Sequence, residues 1–199
     1  SSTFKVENCV ITDATFNLSI SQQFSVELNG QGTKLTRVGD HTFNLGTIQA
    51  ESATRNPLLV YPVISLDSLD MSSITEVNVQ IQNDVTWTPF ETLHNSLSVT
   101  NSSNAMFPSA FTLDKRIVSG VIQQYQTNNN KTQFDDFSAN SNLTITAKRA
   151  SNDSDYWKIQ LNPVMYTARL EVGESYTQSY DFRSIDNTES LSAQISVYS

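Results

Sequence analysis

The segment from Phe4 to Leu28 alternates apolar and polar residues without a change of phase. Ten of its thirteen even-numbered positions are apolar, whereas among its twelve odd-numbered positions only Cys9 and Ile11 are. Successive side chains of a β-strand point to opposite faces of the sheet. This period of two therefore predicts an extended chain with one buried face.

The length of this segment conflicts with the size of a compact domain. An extended segment of this length would reach about 80 Å, whereas a domain built from the whole chain has a diameter of roughly 40 Å. One interpretation breaks the segment near Thr12-Asp13 into two strands that turn back or switch sheets. The other lets Ser2 to Ile11 leave the domain as a strand that completes the sheet of a neighbouring molecule.

Shorter alternating segments recur along the chain, and polar clusters separate them. Many short strands joined by polar turns predict an all-β fold, a single β-sandwich of jelly-roll or immunoglobulin-like type with an extended N-terminal strand. The alternating apolar positions are Val77, Val79, Ile81; Val85, Trp87; Leu143, Ile145, Ala147; Trp157, Ile159, Leu161; Tyr166, Ala168, Leu170, Val172; and Leu191, Ala193, Ile195, Val197. The predicted turns are Asn29-Gly30-Gln31-Gly32, Asn101-Ser102-Ser103-Asn104, Gln126 to Asn130 and Ser151-Asn152-Asp153-Ser154-Asp155.

A short helix is predicted near Leu66 to Ser73, where Asp and Ser residues are well placed as caps. No internal repeat, change of composition or Pro/Gly/Ser-rich linker divides the chain. The sequence therefore predicts residues 1–12 as an N-terminal donor strand and residues 13–199 as one β-sandwich domain.

The charge of the chain argues against several classes of partner. The net charge is −8, and the twelve Lys and Arg residues are scattered. Nucleic acids and anionic membrane surfaces both require clustered basic residues, so neither is an expected partner. No apolar run approaches the roughly 18 residues of a membrane span. The single cysteine, Cys9, cannot form an internal disulfide. It is predicted to be a small, semi-buried thiol, and the alternative is a disulfide bridge to another molecule.

Five Asn-X-Ser/Thr sequences are present, at Asn17, Asn101, Asn130, Asn142 and Asn152. A chain this rich in Asn, Ser and Thr contains several by chance. Their positions are more informative, because Asn17 and Asn142 fall on the outward phase of their strands and the other three fall in polar turns. All five are candidate sites for N-linked glycans, and the alternative is a polar surface that is never modified.

Catalytic and metal-binding motifs are absent from the sequence. His41 and His94 are far apart in the chain, and neither belongs to a spaced set of metal ligands. Asp135-Asp136 and the pair Asp153 and Asp155 are interpreted as solvated turns, because the ligand series of an EF-hand is missing. We therefore expect no enzymatic activity, no metal site and no cofactor.

Trp87 and Trp157 are candidates for stacking on a sugar ring. Trp157 shares its phase with Ile159 and Leu161, and Trp87 continues the phase of Val85, so packing in the core is favoured for both.

A donated strand needs alternating apolar anchors and a segment free of Pro and Gly. Phe4, Val6 and Val10 supply such anchors, and no Pro or Gly occurs before Gly30. Together with the Ser/Thr/Asn-rich body and its sequons, the segment Phe4 to Ile11 resembles archaeal extracellular threads and, more distantly, bacterial donor-strand pili. The resemblance implies a secreted, glycosylated cell-surface filament, a head-to-tail homopolymer used in adhesion or biofilm formation.

Two alternatives remain open at this point. A viral spike, fibre head or capsid protrusion that binds a host surface would also be β-rich, polar and low in Gly. A carbohydrate-binding module would use Trp87 or Trp157 against host or cell-surface glycans.

Overall fold

The computed structural model describes residues 3–19, 22–38, 61–88, 110–133, 137–148, 150–152, 157–173, 175–185 and 195–197. Within these residues the chain forms nine β-strands and no helix. The strands are β1 (Thr3–Ser19), β2 (Gln22–Val38), β3 (Tyr61–Leu66), β4 (Ile74–Trp87), β5 (Phe111–Tyr125), β6 (Phe137–Lys148), β7 (Trp157–Val172), β8 (Tyr176–Ser184) and β9 (Ile195–Val197). The all-β prediction is confirmed.

All nine strands belong to one hydrogen-bonded sheet in the order β2-β1-β4-β5-β8-β7-β6-β3, and β9 pairs with β7. The pairs β5·β8, β7·β8, β6·β7, β3·β6 and β7·β9 are antiparallel. A β-sandwich requires two sheets packed face to face. The predicted single β-sandwich is therefore not confirmed, since the described strands follow one continuous path.

The alternating N-terminal segment forms two strands, but the break does not lie where the sequence suggested. β1 runs through Thr12-Asp13 without interruption and ends at Ser19, and β2 begins at Gln22. The predicted break near Thr12-Asp13 is wrong. Each of these strands has seventeen residues, fewer than the twenty-five of the alternating segment.

The predicted turn at Asn29-Gly30-Gln31-Gly32 is also wrong, because these residues lie inside β2. The two glycines serve close packing between strands. A Cβ atom on Gly30 would lie 2.7 Å from the carbonyl oxygen of Val10, and one on Gly32 would overlap Cγ1 of Val6. Gly residues inside a strand often mark such close approaches.

The helix predicted near Leu66 to Ser73 does not form. β3 ends at Leu66, and Asp67 follows with a φ of 47°, which a right-handed helix cannot include. The Asp67 backbone N–H donates to the Asn142 carbonyl, and its carboxylate accepts a 2.9 Å hydrogen bond from the Asn142 backbone N–H. Asp67 therefore acts as a turn residue that ties β3 to β6.

The chain divides into two compact units, and neither is a continuous stretch of sequence. The first unit consists of Ser1–Asp13, Leu28–Asn56 and Asn83–Lys115, and the second consists of Ala14–Glu27, Pro57–Gln82 and Arg116–Ser199. Strands β1, β2, β4 and β5 contribute residues to both units. The predicted boundary after residue 12 stays a prediction.

The second unit contains every buried apolar residue of the described chain. At one side of this core, the ring of Trp157 lies 5.1 Å from that of Phe16 and 5.3 Å from that of Phe24, measured between centroids. Phe24 belongs to the terminal strand β2 and Trp157 to β7, which is four strands further along the sheet than β1. The sheet therefore curls within this unit, and the core position predicted for Trp157, which is 4% exposed, is confirmed.

The first unit is different, because no residue among positions 4–13, 28–37, 83–88 and 110–115 is buried. Its described segments are residues 3–13, 28–38, 83–88 and 110–115, taken from β1, β2, β4, β5 and their immediate flanks.

Gly120 in β5 gives a test of the packing in the second unit. A Cβ atom there would overlap the carbonyl oxygen of Asn78 and lie 2.6 Å from Cζ of Phe182. We expect Gly120→Ala to lower the free energy of unfolding by about 2–3 kcal/mol, as measured by chemical denaturation.

Gly173→Ala is the matched control, because the nearest atom to its added Cβ would be the Ser175 carbonyl oxygen at 3.9 Å. We expect this variant to stay within about 1 kcal/mol of the parent. Equal effects of the two substitutions would contradict the assigned strand packing around Gly120.

Candidate functional site

The N-terminal half of β1 is paired with β2 of its own chain in the first unit. The Asn8 side-chain amide donates to the Thr33 hydroxyl at 3.2 Å, and the Thr12 hydroxyl donates to the Asn29 carbonyl at 3.4 Å. The partners run in opposite directions along the two strands, so the pairing is antiparallel. Asn8 has a φ of 54°, a conformation that Asn tolerates better than most residues.

One face of this strand pair carries a cluster of charges. Lys5 Nζ lies 2.6 Å from Glu7 Oε1, and Lys34 Nζ lies 3.2 Å from Glu7 Oε2. Hydrogen bonding to Lys5, the larger cause, and to Lys34 lowers the pKa of the Glu7 carboxyl. These three side chains therefore share one face of the sheet.

Exposed apolar side chains also lie on this strand pair. Phe4 and Val6 alternate with Lys5 and Glu7 along β1, which places both on the side of β1 opposite to Lys5 and Glu7. Leu35 follows Lys34 along β2. Their exposed fractions are 59% for Phe4, 53% for Val6 and 65% for Leu35. We use the name apolar face for the exposed apolar residues Phe4, Val6 and Leu35 of the first unit taken together.

An exposed face of this kind usually marks a contact with another molecule. A sheet is stable when its apolar side is covered by a second layer of structure, and large apolar patches on a soluble protein mark interaction sites. The apolar face therefore qualifies as a candidate assembly surface.

The edge of β2 is a second feature of this surface. β2 is the terminal strand of the sheet path, and within the described residues its neighbour is β1 alone. It is seventeen residues long and contains no Pro. Long edge strands present unpaired backbone groups to other chains.

Trp87 lies in the same unit, where its ring meets Phe111 edge-on with centroids 5.6 Å apart. Trp87 is half-buried, and Thr86 beside it donates a hydrogen bond to the Asp114 carboxylate. Trp157 is buried in the second unit and presents no flat face to a sugar. The geometry of neither tryptophan favours carbohydrate binding.

The three proposed donor-strand anchors, Phe4, Val6 and Val10, all lie in β1, and none of them is buried. Phe4 and Val6 are exposed and Val10 is half-buried. Cys9 is exposed, so the prediction of a semi-buried thiol is wrong. Its sulfur would lie 3.2 Å from a Cβ atom at position 32, which shows that Cys9 extends over Gly32.

The five sequons occupy unlike environments. Asn142 and Asn152 are exposed, Asn17 is half-buried and accepts a hydrogen bond from the Asn78 side chain, and Asn101 lies outside the described residues. Asn130 is fully buried, so the polar turn that contains it does not present this side chain to a modifying enzyme. Glycosylation of the exposed sites stays a prediction.

All six histidine and aspartate residues considered as metal ligands in the sequence lie outside the described residues, and these are His41, His94, Asp135, Asp136, Asp153 and Asp155. Among the described residues, no group of three or more His, Cys, Asp or Glu side chains is arranged to hold a metal ion. The described part of the structure also contains no helix able to span a membrane.

Comparison with models of protein families matches residues 1–197 of the chain to the Bacteriophage Baseplate Tube Protein Family. No curated protein matches the chain. The family match contradicts the resemblance to archaeal threads and donor-strand pili, together with the roles in donor-strand complementation and biofilm formation that it implied. The viral alternative agrees with the match only in that both describe a structural protein of a virus.

The charged face of the first unit can be tested by titration. Because Lys5 and Lys34 stabilise the ionised carboxyl, we expect the pKa of Glu7 in the folded chain to lie below its ordinary value. Lys34→Met and Lys5→Met should each raise it, as followed by NMR of the side-chain carboxyl.

The sign of the pH dependence follows from this lowered pKa. The stabilisation from this ion pairing is fully present above the pKa that Glu7 has in the unfolded chain. It is lost as pH falls through the pKa that Glu7 has in the folded chain.

Lys131 is an exposed lysine of the second unit, so Lys131→Met is the control and should leave the pKa of Glu7 unchanged. If the pKa of Glu7 were the same in Lys5→Met and Lys34→Met as in the wild type, the observed contacts of Glu7 with these lysines would be contradicted.

Proposed function

We propose, because the chain belongs to the bacteriophage baseplate tube protein family, that it is a structural subunit of a phage baseplate. In this proposal the first unit is the part that associates with further subunits, and the second unit supplies the folded core. The match extends over residues 1–197 of 199, so the proposal concerns the chain as a whole.

The contrast in burial between the two units carries this proposal. The first unit includes Phe4, Val6 and Leu35, each more than half exposed, and none of its residues with described burial is buried. Ordering a strand costs about 1–2 kcal/mol per residue in backbone entropy. Apolar burial against another subunit would offset that cost at about 25 cal/mol per Å².

Copies of the same chain are the partners that we propose first. The family description names a tube, and a tube wall made from subunits of 22.2 kDa needs several copies around its axis. Each copy has a net charge of −8, so identical subunits repel one another over long range. Association between copies must therefore depend on apolar contact and strand-edge pairing rather than on net charge.

Substitution of the apolar face tests this proposal. We expect the wild-type chain to form oligomers at micromolar concentration, observed by light scattering after size-exclusion chromatography and by electron microscopy. Phe4→Ser with Leu35→Ser removes two large apolar side chains, each contributing about 1.5–3 kcal/mol when buried. The double variant should weaken self-association at least about a hundredfold.

Val172→Ser is the matched control, because Val172 is an apolar residue of the second unit that is 70% exposed. This control should assemble as the wild type does. Denaturation of all three proteins should give similar unfolding free energies, since no core residue is changed. Unchanged assembly of the Phe4→Ser, Leu35→Ser protein would refute the role given to the apolar face.

Ionic strength gives a second test of association between like-charged copies. Salt screens the repulsion between subunits, with a Debye length of about 10 Å at 0.1 M. We expect the fraction of oligomer to rise between about 0.05 M and 0.5 M NaCl in light-scattering measurements. Dissociation on adding salt would instead indicate an interface held by ion pairs, contrary to the proposal.

A further inference from the structure

A buried polar cluster closes one end of the core in the second unit. Gln124 of β5 and Gln178 of β8 are cross-strand partners, and both are fully buried beside the buried Tyr180. Residues 126–133, the loop that follows β5, supply polar groups to this cluster. Buried polar groups of this kind are stable only when their hydrogen bonds are satisfied.

Asn130 holds the loop in place through both ends of its side chain and through its backbone. Its side-chain amide donates to the Tyr125 carbonyl at 2.9 Å, and its Oδ1 accepts from the Thr127 backbone N–H at 2.6 Å. Its carbonyl accepts from Gln178 Nε2 at 2.8 Å and from the Gln133 backbone N–H at 3.0 Å.

Three glutamine side chains surround the hydroxyl oxygen of Tyr180. Gln124 Nε2 lies 2.8 Å away, Gln178 Oε1 lies 2.8 Å away, and the side-chain amide of Gln133 lies 3.0 Å away with Oε1 as its nearest atom. A phenol has one hydrogen to donate and can accept others. Two acceptor oxygens at these distances cannot both be served by that one hydrogen.

The orientation of Gln178 decides which contact receives the hydrogen. Gln178 Nε2 is committed to the Asn130 carbonyl, so Gln178 must turn Oε1 toward Tyr180 and accept from it. The contact between the Tyr180 hydroxyl and the Gln133 side chain is then a hydrogen bond only if Gln133 supplies the hydrogen. We infer that Gln133 presents Nε2 to the Tyr180 hydroxyl and donates to it.

The inferred arrangement gives each of these four contacts one direction. Gln124 and Gln133 donate to Tyr180, Tyr180 donates to Gln178, and Gln178 donates to the Asn130 carbonyl. Gln133, the last residue of the loop 126–133, is thereby a positioning residue that ties the C-terminal end of the loop to the buried end of the core. This inference does not depend on the proposed function.

Replacing the Gln133 amide by a carboxylate distinguishes the two orientations. Gln133→Glu removes the donor at neutral pH but keeps the size of the side chain. The measurement is the unfolding constant of Gln133→Glu relative to its parent, in the wild type and in a Tyr180→Phe background that lacks the hydroxyl. Desolvation and the charges of Lys131, Asp135 and Asp136 act in both backgrounds and cancel in the comparison.

If Gln133 donates, the substitution should cost about tenfold more in the unfolding constant at pH 7 in the wild-type background than in the Tyr180→Phe background. The pKa of the introduced carboxyl would be raised by the hydroxyl, because only its protonated form can donate. The stability of the variant relative to its parent would then be highest near pH 4 and fall as pH rises.

If Gln133 accepts, Tyr180 would donate to the introduced carboxylate, the pKa would be lowered and the variant would lose stability on acidification. That result, or equal costs in the two backgrounds, would overturn the inference.

A second measurement needs no substitution and therefore still tests the inference if the variants fail to fold. It follows hydrogen exchange of the side-chain amides in the ¹⁵N-labelled wild type. The Gln133 amide hydrogens should exchange at least about tenfold more slowly than those of the exposed Gln160, and equal rates would overturn the inference.

Discussion

Burial of apolar side chains in the second unit is the interaction on which the rest of the structure depends. The contact of Phe16 and Phe24 with Trp157 joins the start of the sheet path to a strand far along it, so that a single curled layer encloses a core. The first unit has no such core among its described residues. Strands β1, β2, β4 and β5 each contribute residues to both units.

Much of the strand content could be predicted from alternation, because a buried face imposes a period of two on any strand. The core residues Ile145, Ile159 and Leu161 follow this rule directly. Position within the sheet could not be predicted in the same way. Gly30 and Gly32 are residues typical of a turn, yet they lie within β2. Glycine is required at these positions because the neighbouring strand approaches too closely for a side chain.

The functional prediction failed at the same N-terminal segment whose alternation correctly predicted β-strand structure. Alternation shows that one face of a strand is apolar, but it does not show whether that face is covered by the same chain, by a donated groove or by another subunit. Ala14 and Leu18 are buried whereas Phe4 and Val6 are exposed, although all four belong to one phase of one strand. Only the coordinates separate the two halves, and only the family match overturns the pilus interpretation, because it assigns the chain to a family of bacteriophage baseplate tube proteins.

The chain contains two tryptophans, and they lie in different units: Trp87 is half-buried beside Phe111, and Trp157 is enclosed by Phe16 and Phe24. Indole emission depends on the polarity around the ring, so each residue is an intrinsic optical probe of its own surroundings. Fluorescence of a protein that retains Trp157 alone reports melting of the aromatic core. The additional signal from Trp87 reports events in the other part of the molecule, without any attached dye.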